Sequence, residues 1–190
     1  MAIKRYLSIT GLLLISNITY ADQVFYGIAL INQQITQKIQ TVSPASLATA
    51  KDTGTGLGLY ADYFYNGDYR LNASLTYIGY DTFTFTSLTA SADYLFPVNS
   101  GFTLFTGITA GGAGVKFSDA GVSEMSLGIL YGIQAGAIAF LSNGIMIELG
   151  YRIRPADIET EILDPTTKVL IATSTIDELS ETYLNLVITF

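Results

Sequence analysis

Three residue types are missing from this chain: it has no cysteine, no histidine and no tryptophan. Without cysteine there is no disulfide framework and no thiolate nucleophile. Without histidine the usual general base of a hydrolase is gone, and a serine is a weak nucleophile with no base beside it. Lysine is the remaining base, but Lys38, Lys51, Lys116 and Lys168 all map to expected loops or strand ends. No catalytic residue is assigned, and the chain is read as not an enzyme. Basic residues are also scarce. Nine Lys and Arg stand against sixteen Asp and Glu, a formal charge of −7, which disfavours nucleic acid as a partner. Nothing points to a cofactor. Asp157, Glu159, Glu161 and Asp164 are acidic neighbours but lack EF-hand spacing, so they read as a solvated face rather than a metal site. The glycines 107, 111, 112 and 114 precede no helix and no Lys-Ser/Thr pair, so they form no phosphate loop.

What is present is hydrophobicity without long hydrophobic runs. Hydrophobic residues make up 49% of the chain and the mean hydropathy is +0.41. Beyond the first twenty or so residues, no apolar run approaches the ~18 residues of a helical membrane span. At the start, Lys4 and Arg5 precede an apolar run from Ile9 to Ile15, and Thr19-Tyr20-Ala21 follows. Charged start, short apolar centre and small residue form the pattern of a secretory signal peptide, expected over residues 1–21 with cleavage after Ala21. Its removal takes Lys4 and Arg5 and moves the formal charge from −7 to −9. Residues 22–190 suit one domain.

From residue 23 onward the chain alternates with a period of two, the signature of strands with one apolar face. Val24, Tyr26, Ile28 and Leu30 alternate with Phe25, Gly27 and Ala29. Leu57, Leu59, Ala61, Tyr63 and Tyr65 alternate with Gly56, Gly58, Tyr60 and Asp62. Asn66-Gly67 supplies a tight hairpin turn. The segment 69–80 is the cleanest, with Tyr69, Leu71, Ala73, Leu75 and Tyr77 against Arg70, Asn72, Ser74 and Thr76. Further strands are expected over 83–96, ended by Pro97, and over 102–117. The Gly111-Gly112-Ala113-Gly114 run in the latter suggests a bulge or bend. Two more follow over 125–141 and 145–154, the second with Ile145, Ile147, Leu149, Tyr151 and Ile153 on one face. The last is Ser180 to Phe190, where Leu184, Leu186, Ile188 and Phe190 share a face opposite Tyr183, Asn185 and Val187.

These are eight expected strands. Connections two, four and six are tight turns. The segments 34–54 and 155–179 read as long loops, although Ile158, Thr160 and Ile162 alternating with Glu159 and Glu161 suggest that the second is a projecting hairpin. Even strand number, short turns at one end and longer connections at the other describe an outer-membrane barrel. The continuous apolar face carries the larger residues, so it faces lipid, and the small and polar face fills a narrow lumen. The chain resembles the small eight-stranded bacterial outer-membrane β-barrels of the OmpA-like and OmpX-like kind. That resemblance implies an all-β, antiparallel, up-and-down transmembrane barrel in the bacterial outer membrane with both termini periplasmic. It also implies that the terminal motif of Tyr183, Leu184, Leu186, Ile188 and Phe190 is an assembly signal read by the barrel-assembly machinery. Expected partners are outer-membrane lipid and lipopolysaccharide, with a host or matrix surface as a further candidate, and a monomer is expected.

The polar face carries Asp62, Arg70, Asp93, Glu148, Arg152 and Arg154. Three acids meeting three arginines read as a salt-bridged lumen plug, since buried charges are tolerated when paired. The expected role is structural or surface-interacting: envelope integrity, or adhesion through the two long segments. One alternative is a narrow porin-like channel gated by those pairs. Another is a soluble secreted barrel with Leu75, Leu149 and Leu186 turned inward around an apolar ligand, and Arg70 and Arg152 outside.

Overall fold

The structure, a computed structural model, describes residues 24–42, 44–117, 125–142, 144–164, 166–167 and 169–189. The expected signal peptide and the terminal Phe190 lie outside the described residues. Eight strands close into a barrel in which each pairs antiparallel with its neighbours. They are β1 (Val24–Thr41), β2 (Ser46–Tyr65), β3 (Tyr69–Gly79), β4 (Phe83–Asn99), β5 (Phe102–Phe117), β6 (Met125–Ser142), β7 (Ile145–Leu163) and β8 (Leu170–Ile188). Closure pairs β1 with β8, from Tyr26 opposite Ile188 to Thr41 opposite Ala172. A closed ring leaves no lateral edge in its wall, which a sheet surrounded by lipid requires.

The face assignment decides between the two barrel readings. Leu75, Leu149 and Leu186 point outward and are 40%, 55% and 53% exposed, while Arg70 and Arg152 are buried inside. The soluble barrel with an apolar interior at these positions is therefore overturned. Around the outside run Tyr26, Ile28, Leu30, Leu57, Leu59, Leu71, Leu88, Ile108, Ile133 and Leu184, all exposed. An apolar surface that encircles a molecule is far larger than the few hundred Å² a monomer shows to water. It is a lipid-facing surface. On β3 it spans Tyr69 to Tyr77, about the nine residues that a tilted strand needs to cross hydrocarbon. Outward tyrosines and phenylalanines rim the belt at both borders: Tyr65, Tyr69, Tyr94, Phe96 and Phe102 towards the chain termini, Tyr77 and Tyr131 at the far border. With no tryptophan, tyrosine and phenylalanine rings form the interfacial girdles.

Four expectations need correction. First, 34–54 is not a loop. β1 continues to Thr41 and β2 begins at Ser46, paired throughout from Thr41 opposite Ser46. Polar Gln and Thr on the outward positions hid the strand, because beyond the lipid belt the outer face meets water. Second, 155–179 is not a long loop but the projecting hairpin that its alternation suggested, with β7 reaching Leu163 and β8 starting at Leu170. The difference between the two barrel ends therefore lies in strand length as well as in connection length. Third, the glycine run in β5 causes no bulge, since its register with β4 and β6 is unbroken across residues 111–114. Fourth, Pro97 does not end β4, which runs on to Asn99 through an irregularity between Pro97 and Asn99. The Asn66-Gly67 turn forms as expected, with φ of 51° and 75°.

On the far side the projecting part is a four-stranded sheet in the order β2-β1-β8-β7. The β2–β3 ladder stops at Thr55 opposite Gly79, and the β6–β7 ladder at Leu130 opposite Ala156. The β7–β8 ladder continues to Leu163 opposite Leu170.

Candidate functional site

The interior is built in three layers. At the end that holds the termini, Leu95, Phe105, Ile138, Met146 and Val187 form an apolar floor, with Phe25 and Phe64 packed against it. At the far end, Ile35, Ile78, Phe83, Phe85, Val115, Leu130, Ile158, Ile176 and Leu179 form an apolar cap. Between them lies a charged layer. Sequence reasoning placed only small and polar residues on the inward face; the cap corrects that. Beyond the lipid belt the outer face turns polar, so the strands bury their apolar side chains inward, as a water-soluble barrel does.

The structure places all six sequence-selected charges inside and buried, but in two groups. Arg70 gathers three carboxylates. It donates from Nε to Asp93 Oδ2 at 2.9 Å and as a fork to Glu148 at 2.6 and 3.0 Å. Its Nη1 lies 3.6 Å from Asp62 Oδ1. The strands dictate this meeting: Arg70 stands directly opposite Asp93 in the β3–β4 ladder. Amides complete the set, Asn72 donating to Asp62 at 2.8 Å and Gln134 to Asp93 at 2.6 Å. The guanidinium also lies 4.4 Å from the centre of the Phe105 ring in the floor.

Arg152 and Arg154 do not join this group. They converge on Glu181, which sequence reasoning missed. Arg154 donates to Glu181 Oε2 at 2.5 Å, and Arg152 Nε lies 3.5 Å from Oε1. Gln33 donates to the same Oε2 at 2.9 Å and accepts from the Tyr80 hydroxyl at 2.8 Å. The signal was available, because Glu181 shares the inward face of β8 with Tyr183 and Asn185.

Tyr183 joins the two groups. It was assigned to the assembly motif, yet its side chain is lumenal and buried, while Leu184 and Leu186 of that motif point outward. Its hydroxyl donates to Glu148 at 2.7 Å, and the Arg152 guanidinium sits 4.4 Å over its ring. Tyr60 stacks on the same ring at 5.5 Å and accepts from Arg152 at 3.2 Å. Gly150 makes room for this stack, because a Cβ there would run into the Tyr183 ring.

No family profile and no curated protein matches the sequence. Solved structures do. Neisserial surface protein A aligns at 22% identity with a TM-score of 0.58, covering 87% of this chain and 97% of that one. The chain has the fold of the small outer-membrane β-barrels. Outer membrane protein OprG from Pseudomonas aeruginosa gives 13% identity and a TM-score of 0.60, over 89% and 97% of the two chains. Outer membrane protein H from the same organism gives 20% and 0.56, over 88% and 99%.

Chemically, the charged layer is a pairing site. Arg70 and Arg154 hydrogen-bond to carboxylates, Arg152 lies within ion-pair distance of Glu181 and hydrogen-bonds to Tyr60 instead, and the described residues contain no cluster of His, Cys, Asp or Glu suited to a metal ion. The acidic set 157, 159, 161 and 164 lies on the β7 projection and its turn; Glu159 and Glu161 are exposed and Thr160 between them points inward. Lys38 and Lys51 lie within β1 and β2 rather than in loops, and Lys38 pairs with Asp177 at 2.7 Å. Lys168 is outside the described residues.

Proposed function

We propose that this protein is a non-conducting barrel of the bacterial outer membrane, with both termini periplasmic, that presents its projecting sheet to surfaces outside the cell. The observation that carries the reading is the inversion along the strands. An apolar belt surrounds a charged interior, and beyond it a polar exterior surrounds the apolar cap. A barrel crossing one membrane and emerging into water at one end only needs that inversion at that end. Two apolar layers bracketing the charges support a closed lumen, since eight strands leave an interior that side chains fill.

The projecting sheet supports contact with a host or matrix surface. Residues 46–54 of β2 have no ladder partner on the β3 side among the described residues, and an open strand edge can pair with an extended segment. Envelope fractionation, heat-modifiable migration on gels and protease digestion of intact cells test location and orientation together. Cleavage within 157–176 on intact cells is the expected result; cleavage only after the envelope is opened reverses the orientation. Adhesion is tested by trimming 157–176 and measuring binding to host cells or matrix, which should fall. The channel reading is tested in planar bilayers, where reproducible conductance steps would overturn the closed lumen.

A further inference from the structure

The polar outer face of the projection gives way at its far end to aliphatic side chains. Val42 and Leu47 stand at the β1–β2 end, Val169 and Ile171 at the β7–β8 end, and they are 54%, 67%, 60% and 45% exposed. The strands gather them into one patch. The Val42 amide donates to the Ile171 carbonyl oxygen at 3.0 Å. Leu47, opposite Gln40, lies diagonal to Val42 on the same face. Val42 stands ten residues beyond Asn32, the first polar outward residue of β1 past the belt. On a strand tilted by about 40° that carries the patch roughly 25 Å clear of the hydrocarbon layer.

The turns that hold the patch pair their own backbone groups. Asp164 Oδ1 accepts from the Thr166 and Thr167 amides at 2.9 and 2.7 Å, and the Asp164 amide donates to the Val169 carbonyl oxygen at 2.9 Å. In the other turn Thr41 Oγ1 donates to the Pro44 carbonyl oxygen at 2.6 Å and accepts from the Ser46 amide at 3.2 Å. Pro44 has no amide to satisfy. Groups paired in this way leave water at little cost, whereas an unpaired amide does not. The charge is balanced as well: residues 41–47 carry no ionisable side chain, and residues 163–171 carry Asp164 and Lys168, which cancel. Behind them Glu159 and Glu161 are exposed on the outer face.

We propose that this tip enters the neutral, zwitterionic lipid surface of a second membrane, opposite the one that holds the barrel. The proposal rests on the outward orientation given above and names the surface that the projection meets. Hairpin ends with aliphatic side chains and paired turns suit the interfacial layer of a bilayer, where binding follows the apolar area buried. Anionic lipid is the poorer fit, because such surfaces draw in polybasic segments and this tip has none. A protein groove is also the poorer fit, since the patch lacks the Trp, Tyr and Arg anchors that dominate protein interfaces.

The test uses the protein refolded into phosphatidylcholine vesicles and mixed with separate target vesicles. The chain has no tryptophan, so Leu47→Trp supplies a single fluorophore at the tip. Target vesicles of brominated phosphatidylcholine should quench it and move its emission to shorter wavelength, and should leave Gln34→Trp, near the belt, unquenched. Co-flotation of unbrominated target vesicles should fall about fivefold in Val169→Ser and in Ile171→Ser, for losing roughly half the transfer of an aliphatic side chain. Thr49→Ser should not change it, and phosphatidylglycerol added to the target should weaken it. Absent quenching, capture indifferent to Val169→Ser and Ile171→Ser, or capture that strengthens with phosphatidylglycerol overturns the proposal. If a serine variant loses heat-modifiable migration, the quenching of Leu47→Trp decides alone. Host-cell binding that depends on 157–176 without capture of lipid vesicles defeats only the lipid partner; cleavage of that segment solely after the envelope is opened defeats the orientation reading.

Discussion

The belt half and the projecting half of the barrel are made of the same eight strands, yet they obey opposite rules. In the belt, Leu59, Leu71 and Leu184 face outward while Arg70, Asp93 and Glu148 lie inside. In the projection, Glu159, Glu161 and Lys38 face outward while Ile35, Phe85 and Ile158 lie inside. The ladder between β1 and β2 runs from one half into the other without a break, although register shifts interrupt the β1–β8 ladder between Thr36 and Gln37 and the β7–β8 ladder between Pro155 and Ile158. The surrounding medium differs. Water rewards burial of apolar side chains, whereas hydrocarbon is indifferent to them and punishes exposed polar groups. A polar interior is therefore affordable only where lipid surrounds it and the charges inside find partners.

The largest effect that would break this comparison is loss of Arg70. Arg70→Met leaves Asp62, Asp93 and Glu148 facing one another without their shared cation. Removing one partner of a buried pair costs about 3–5 kcal/mol, and three stranded carboxylates place this change at or above the top of that range. Urea unfolding in phosphatidylcholine vesicles should show it. The matching change in the cap, Phe85→Ala, should cost about 3–5 kcal/mol through a cavity in an apolar core, and the cavity loss should persist in detergent. Next in size is an outward charge. Leu184→Arg in the belt should cost about 2–4 kcal/mol in bilayers, while Gln34→Arg on the outer face of the projection should stay within about 0.5 kcal/mol. Equal costs at the two positions would erase the distinction between the halves. Smallest is Lys38→Ala, which removes the partly exposed pair with Asp177. It should change stability by at most a few tenths of a kcal/mol, since exposed pairs are weak.

The belt half was legible in the sequence because its two faces differ sharply in chemistry: Tyr69, Leu71 and Leu75 against Arg70, Asn72 and Ser74 leave one reading. The projecting half was harder. Between Gln33 and Thr41 the inward positions mix Gln33, Ile35 and Gln37, so no two-residue apolar period emerges, and only the partner strands β2 and β8 reveal a strand. For the interior site, the six charges were recognisable as inward, but their grouping was not. Pairing depends on depth along tilted strands and on register around the ring. Those two quantities brought Arg70 to Glu148, across the lumen, and sent Arg154 to Glu181. Tyr183 was seen as part of a terminal pattern because its neighbours are apolar. Its inward position, opposite Gly150 on β7, decides its actual contacts.

The seam between β1 and β8 joins the first described strand to the last, with Tyr26 beside Ile188. Every other ladder links consecutive strands, so seven hairpins can zip locally while this one waits for the whole chain. Until that final zipper engages, two long rows of unpaired amides and carbonyls stand open, and contacts so distant in sequence form slowly. Throughout that delay the nascent chain exposes those edges to its neighbours, so the closing seam is where mispairing between chains competes with folding.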